Sequence, residues 1–120
     1  MKIAITTSGT DLNAPVDTRF GRAAGFIVYD TETKAFETAD NSQNLNAAQG
    51  AGIQTAQNVA ATGAKTVITG HCGPKAFRIL NASQIAVYLA QPGTVQNGLD
   101  LFAQGKLTEL NTADVDGHWM

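Results

Sequence analysis

The sequence predicts an α/β domain built on a mixed sheet, and three observations support that prediction. Apolar runs of strand length come first along the chain, and later runs of the same kind alternate with segments of helical periodicity. Glycines and polar turn formers separate these segments. Strands joined by short turns pair antiparallel, whereas strands separated by helices pair in parallel. We therefore predict a mixed five- or six-stranded sheet with three helices packed on its faces.

The first half of the chain predicts a meander of three strands. Residues 3–7 and residues 25–30 are apolar runs, and between them lie a loop rich in turn formers and an irregular stretch. A Thr-Glu-Thr turn follows residue 30 and returns the chain as a third strand at residues 35–38. These strands form the antiparallel side of the sheet.

The second half predicts helices and strands in alternation. A helix opens at Gly50 or Gly52 and reaches Ala61 with apolar residues on one face, and Gly63 is its natural stop. The remaining elements follow by the same criteria: a strand at 66–69, a helix at about 74–81, a strand at 85–89, an amphipathic helix from Val95 ended by Gly105, and a short strand at 107–110.

Length and composition predict one domain over residues 1–110, followed by a polar tail at 111–120. The net charge of −2 and the absence of a Lys/Arg run argue against a nucleic-acid partner. No apolar run approaches the roughly 20 residues of a membrane helix, so no membrane partner is expected. A single cysteine cannot form an internal disulfide, and no signal peptide is evident, which together predict a cytoplasmic protein.

The most informative segment is TGHCGPK at residues 69–75, here called the focal loop, which joins a predicted strand to a predicted helix. It holds the single cysteine and one of the two histidines. The start of the helix offers N–H donors and a positive dipole end, and Lys75 adds a cation. This combination suits a small, soft, negatively charged metal species. The candidate binding residues of the loop are Gly70, His71, Cys72, Gly73, Pro74 and Lys75.

Two of these residues have an alternative interpretation. Cys72 is a thiolate near or on a metal, with its reactivity increased by the helix start, or a small buried hydrophobe under the loop. His71 contacts this bound metal species, here called the guest, or is simply an exposed loop residue. The glycines and the proline shape the turn in either case.

Arg19 and Arg22 are a second candidate feature, because they are three residues apart and flank Phe20-Gly21. Both could clamp an anion, or one could pair with Asp17 or Asp30 to hold the meander together. We expect one arginine to be structural and one to face the site, and we favour Arg19 for the site. The loop around residues 44–52 joins the site only if its helix docks there, and an ordinary loop with a helix N-cap is the favoured interpretation.

Three segments together resemble one known family. They are residues 2–5, residues 16–23 with the motif RFGRA, and residues 70–77 with the motif GPKAF. In this order and at this separation they resemble the dinitrogenase iron–molybdenum cofactor biosynthesis family, which implies a ribonuclease H-like fold. The resemblance covers nearly the whole chain.

The resemblance implies a cargo. Small stand-alone members from anaerobes, with a cysteine before Gly-Pro, hold a sulfide-bridged molybdenum–copper cluster of the S2MoS2CuS2MoS2 type without covalent protein–metal bonds. The implied function is non-catalytic binding, assembly or carriage of this anion, formed from thiomolybdate and copper. Iron–molybdenum cofactor or a precursor is the alternative cargo. One cysteine would be too few for an iron–sulfur cluster, which usually takes four.

Other functions remain open at this point. We expect the protein to be a monomer. Its function could instead be that of a protein–protein adaptor in a complex with ATPases, with the cluster as signal or passenger. A ribonuclease H-like metal-dependent enzyme needs converging carboxylates, and the first strand contains none. A thiol enzyme using Cys72 and His71 lacks a third orienting group. We expect no enzymatic activity.

Overall fold

The computed structural model describes residues 1–20, 23–41 and 51–110. Within them lie six strands and three helices, in an order that alternates as expected after the initial meander. The elements are β1 (Lys2–Thr7), β2 (Gly25–Asp30), β3 (Phe36–Asp40), α1 (Ala51–Ala61), β4 (Thr66–Thr69), α2 (Pro74–Ala82), β5 (Ala86–Leu89), α3 (Val95–Ala103) and β6 (Thr108–Glu109). Residues 21–22, which include Arg22, residues 42–50 and residues 111–120 lie outside the described residues.

The strands form one mixed sheet in the order β3-β2-β1-β4-β5-β6. The three central strands β1, β4 and β5 are parallel, and β2, β3 and β6 run antiparallel to their neighbours. The predicted mixed sheet with three helices is confirmed. Because β1, β4 and β5 are parallel, their C-terminal ends lie at one edge of the sheet, here called the carboxyl edge.

Four strands differ slightly from their predicted bounds: β1 and β5 by one residue at the start, and β3 and β6 at both ends. β3 extends to residue 40, because Ala39 and Asp40 continue the ladder opposite Phe26 and Gly25. β6 has only two paired residues, and Leu107 just before it is buried in the core instead. Strand ends depend on the neighbouring strand, which local sequence does not specify.

The sheet has a buried core on each face. Ala4 and Val67 face α1 and α2, and their core cluster includes Val59 of α1 and Leu80 of α2. On the other face, the isoleucines of β1 pack in a second cluster with residues of α3. Side chains alternate between faces along a strand, so parallel strands covered by helices on both sides are apolar at nearly every position.

Asn41, just after β3, is a buried polar residue of the core. Its Nδ2 donates to the Ala23 carbonyl at 2.9 Å and to Thr55 Oγ1 at 3.0 Å, and its Oδ1 accepts from Asn58 Nδ2 at 3.1 Å. A buried amide with these partners avoids the penalty of an unsatisfied polar group. Asn41 therefore ties the end of β3 to α1.

None of the described helices is long and apolar enough to cross a lipid bilayer.

Candidate functional site

Residues 15–20, here called the strap, cross the carboxyl edge over the ends of β1 and β4. Thr7 and Val16 form an antiparallel β-bridge. Next to it, the Asp17 N–H donates to the Thr6 carbonyl at 2.8 Å, and the Thr6 hydroxyl donates to the Asp17 carbonyl at 2.7 Å. The stretch that the sequence predicts to be irregular is therefore held by the end of β1.

The strap also binds the focal loop. The His71 N–H donates to the Thr18 carbonyl at 2.7 Å, and the Phe20 N–H donates to the His71 carbonyl at 3.1 Å. These bonds make Arg19 and His71 partners in a parallel β-bridge. Both residues are exposed, whereas Phe20 is buried in the core. The structure thus brings together two candidate residues that are 52 positions apart in the chain.

Gly70 allows this close approach. A Cβ at Gly70 would lie 2.3 Å from the Thr18 carbonyl oxygen and 2.6 Å from the Thr18 Cα. No side chain fits at that distance. The glycine is thus required by the strap itself, which is a tighter constraint than the turn geometry expected from the sequence.

Helix α2 begins in the focal loop without a capping side chain. Gly73 is the N-cap in an extended conformation, Pro74 occupies the first turn, and the first turn contains no acidic residue. The first helical bond is from the Phe77 N–H to the Gly73 carbonyl at 2.9 Å. Among the residues that the structure describes, the N–H groups of Lys75 and Ala76 have no hydrogen-bond acceptor. The predicted anion-attracting helix start is present, and exposed Lys75 adds its charge to it.

Helix α3 starts at the same edge and is closed by the protein itself. Thr94 and Asn97 form a reciprocal capping box. The Val95 N–H donates to the Ala14 carbonyl at 2.8 Å, and the Gln96 N–H donates to the Leu12 carbonyl at 2.8 Å. Of these two helix starts, only that of α2 keeps donors for a guest.

Arg19 is the arginine that pairs with Asp17. Its Nε lies 3.2 Å from Asp17 Oδ1, and its Nη2 lies 3.3 Å from Oδ2. The hydrogen bond and then the charge of Asp17 raise the pKa of Arg19, so the guanidinium remains charged. The Arg19 side chain is 64% exposed and that of Asp17 only 12%. Arg19, the arginine that we favour for the site, thus makes the pairing with Asp17 that we expect of one arginine, and Arg22 lies outside the described residues.

The Cys72 side chain lies beneath the focal loop. It is 0% exposed and belongs to the core cluster on the α1 and α2 face. Its Sγ lies 3.9 Å from the Gly73 carbonyl oxygen. Direct ligation of a metal by this thiol would require the loop to uncover it. Across the described residues no three His, Cys, Asp or Glu side chains are grouped closely enough to hold a metal ion.

The start of α1 lies beside that of α2. A Cβ at Gly52 would be 3.3 Å from the Ala76 Cβ, so the first turns of the two helices are in contact. The helix that follows the predicted loop around residues 44–52 therefore docks next to the focal loop. Residues 44–50 lie outside the described residues.

Two threonines of the site were missed in the sequence. Thr6 and Thr69 are buried at the carboxyl edge, and their Oγ1 atoms are 2.8 Å apart. A detectable signal was present, because each is a polar residue at the end of an apolar run that predicts a parallel strand. Apolar periodicity alone treats such residues as strand ends.

The fold and this edge define a small α/β domain whose cations and N–H donors suit an anionic guest. The chain belongs to the dinitrogenase iron-molybdenum cofactor family, whose pattern it matches over residues 1–105. The family predicted from the three sequence segments is confirmed.

Two solved structures and one further relative agree with this family assignment. The apo form of the orange protein from Desulfovibrio gigas is 40% identical, with a TM-score of 0.92 over 95% of this chain and 96% of that one. A NifB-like protein of the DUF35 family from Thermotoga is 37% identical, with a TM-score of 0.84 over 97% of this chain and 98% of its own. An uncharacterized protein of Methanocaldococcus jannaschii is 28% identical over 109 residues, which is 89% of each chain.

Proposed function

We propose that this protein binds and carries, or helps to assemble, an anionic molybdenum–copper sulfide cluster, and that it is not an enzyme. One observation supports this most directly. At the carboxyl edge, the uncapped start of α2 with Lys75 lies beside a strap that holds Arg19 next to His71. The cluster-binding unit is the single domain at residues 1–110.

The chemistry of such a guest matches these groups. Thiomolybdate units are negative and rich in sulfide, and copper(I) prefers sulfur ligands. Metals that already carry sulfide need few ligands from the protein. They need N–H donors and cations to balance the charge, and helix starts supply the former. Hence a guest of this kind does not require the multi-ligand metal group that the described residues lack.

Each candidate residue has a role in this proposal. Arg19 and Lys75 supply positive charge, and His71 supplies a ring N–H. The focal-loop residues Gly70, Gly73 and Pro74 shape the turn that presents the helix start. Cys72 supports the loop from below, and its direct ligation of a metal stays a prediction, because its thiol is buried in this structure.

Similarity supports a molybdenum-containing guest. The family description names iron–molybdenum cofactor, and the orange protein of Desulfovibrio gigas, described in its apo form, is 40% identical to this chain. Iron–molybdenum cofactor or a precursor remains the alternative cargo. We also infer that the fold is ribonuclease H-like, as the family resemblance implies.

A nuclease role on such a fold is disfavoured by where the acidic residues lie. Metal-dependent hydrolysis needs carboxylates that converge on divalent ions. Asp30 lies opposite Lys2 in the β1–β2 ladder, at the other end of the sheet from Asp17, so these two carboxylates do not converge. Cytoplasmic location, a monomeric state and ATPase partners stay predictions.

The test is reconstitution. Apo-protein would be incubated anaerobically with copper and tetrathiomolybdate and desalted, and its visible spectrum and metal content recorded. Coloured protein with molybdenum and copper in a constant ratio is the expected result. Lys75→Ala should reduce uptake, whereas Lys65→Ala, which removes an exposed lysine at the opposite end of β4, should not.

Protein that stays colourless and free of metal would contradict the proposal. The adaptor function would then be preferred, and binding of ATPase partners by the apo-protein would be measured next. Equal losses in the two lysine variants would show attraction by net charge without a site at the start of α2.

A further inference from the structure

A chain of two buried hydroxyl groups links the central strands to the strap. Thr69 ends β4 and is 0% exposed, and Thr6 near the end of β1 is 1% exposed. Their Oγ1 atoms are 2.8 Å apart, and Thr6 Oγ1 lies 2.7 Å from the Asp17 carbonyl oxygen. The order is therefore Thr69, Thr6 and the strap backbone.

The direction of this chain follows from its last member. A carbonyl oxygen only accepts, so the single Thr6 hydroxyl proton is donated to Asp17. Thr6 Oγ1 then has only lone pairs to offer, and Thr69 must donate to it. Hydrogen bonds aligned in this way strengthen one another in a low-dielectric interior.

The linked strap carries the site. Asp17, held by Thr6, lies one residue before Thr18, whose carbonyl accepts the His71 N–H. Arg19 follows and pairs with His71 across the bridge. Because Thr69 is itself the first residue of the focal loop, the hydroxyl chain connects the two segments whose side chains form the proposed cradle.

We propose that Thr6 and Thr69 are positioning residues of the anion site, whose hydroxyl chain holds the strap so that Arg19 lies beside His71. The inference rests on the proposed function. Neither threonine touches the guest. Each acts through the strap, by setting the distance between Arg19 and the focal loop.

The test compares three substitutions in the full chain. Thr69→Val removes the hydroxyl and keeps the shape, and Thr69→Ser restores the hydroxyl. Thr66→Val is the matched control, because Thr66 is a buried threonine of the same strand, and within the described part of the chain its hydroxyl makes a single 3.8 Å contact, with Met1 Sδ. Thr69→Ala replaces Thr69→Val if the latter does not fold.

Two quantities would be measured for each variant: the affinity for tetrathiomolybdate with copper, and amide hydrogen exchange. For Thr69→Val we expect affinity to fall about tenfold, because a buried hydrogen bond is lost and the cradle is displaced. Exchange at the His71 and Phe20 amides should accelerate about tenfold, while Val67 in the middle of β4 stays protected. Thr69→Ser and Thr66→Val should resemble the wild type in both.

The outcomes separate the two proposals. If the wild type binds the cluster and Thr69→Val binds equally well, the positioning role is overturned and the proposed function stands. Equal weakening by Thr66→Val would also overturn it, since a general loss of stability would then explain both. If the wild type does not bind, the proposed function fails, and unchanged exchange at His71 and Phe20 in Thr69→Val would overturn the positioning of the strap as well.

Discussion

The Asp17 carboxylate accepts two hydrogen bonds from one side of the Arg19 guanidinium, with Nε–Oδ1 at 3.2 Å and Nη2–Oδ2 at 3.3 Å. Asp17 Oδ1 also accepts the Arg19 backbone N–H at 2.9 Å, which fixes the local turn. An anionic guest would bind arginine through two parallel N–H donors of the same kind. Asp17 therefore competes with the guest for Arg19 in the proposed cradle.

Asp17→Asn should increase the affinity for the anionic cluster by about two- to fivefold at low salt, since exposed charge pairs are weak. The amide oxygen can still accept the Arg19 N–H, so the turn is retained. Binding would be measured by titration with copper and tetrathiomolybdate. Asp30→Asn is the matched control, because Asp30 also accepts a backbone N–H two residues later, from Glu32 at 2.8 Å, but lies at the far end of the sheet. Equal gains in both variants would attribute the effect to net charge.

Arg19→Ala should lower cluster affinity at low ionic strength, and the difference from wild type should shrink as salt is added. The reason is that salt screens exposed charges over a distance of about 10 Å at 0.1 M. Affinity measured at several salt concentrations gives the dependence of binding on salt. Lys65→Ala serves as the charge-matched control, and its affinity should fall more steeply with added salt than that of Arg19→Ala. A wild-type affinity independent of salt would contradict electrostatic capture.

Cys72→Ala should leave the fold nearly intact, with a loss of about 1 kcal/mol in the free energy of unfolding for the small cavity created. If Cys72 also binds the cluster, as the sequence predicts, the substitution would in addition weaken the cluster. Denaturant unfolding and the spectrum of the reconstituted variant measure the two effects. In native apo-protein the buried thiol should react with a thiol reagent at least about 100-fold more slowly than in denaturant. Unchanged loading and spectrum in the variant would remove Cys72 from the site.

Gly70→Ala should destabilise the protein by about 1–3 kcal/mol, because the new Cβ collides with Thr18 and displaces the strap. Cluster uptake should fall with it. Gly98→Ala in α3 is the comparison, since its nearest neighbour would be Ile68 Cγ2 at 3.8 Å. There we expect a gain of about 0.5–1 kcal/mol, because alanine is the better helix former. Thermal unfolding of both variants measures these two changes in stability. A Gly70→Ala variant as stable as the wild type would contradict the close approach of Gly70 to Thr18.

Most of the fold was predictable from local sequence. The helix from residue 74 was expected from Pro74 and the apolar spacing after it, and the structure has it at Pro74–Ala82. The alternation of strands and helices after the meander was expected from apolar periodicity and turn residues, and the structure has it from α1 to β6. The sequence does not decide the burial of Cys72, because a cysteine suits a core and a metal equally well.

The sequence by itself determined the order of strands and helices, the family, and the chemistry gathered in residues 69–75. These are local properties: periodicity, turn residues and a short motif are all read within a few positions of one another. Only the tertiary structure decided that residues 15–20 form a strap, that Arg19 meets His71, and that Thr6 and Thr69 share a hydrogen bond. The last two contacts join positions that are 52 and 63 residues apart. They exist only after β1 and β4 pair in parallel, and no local pattern encodes that pairing.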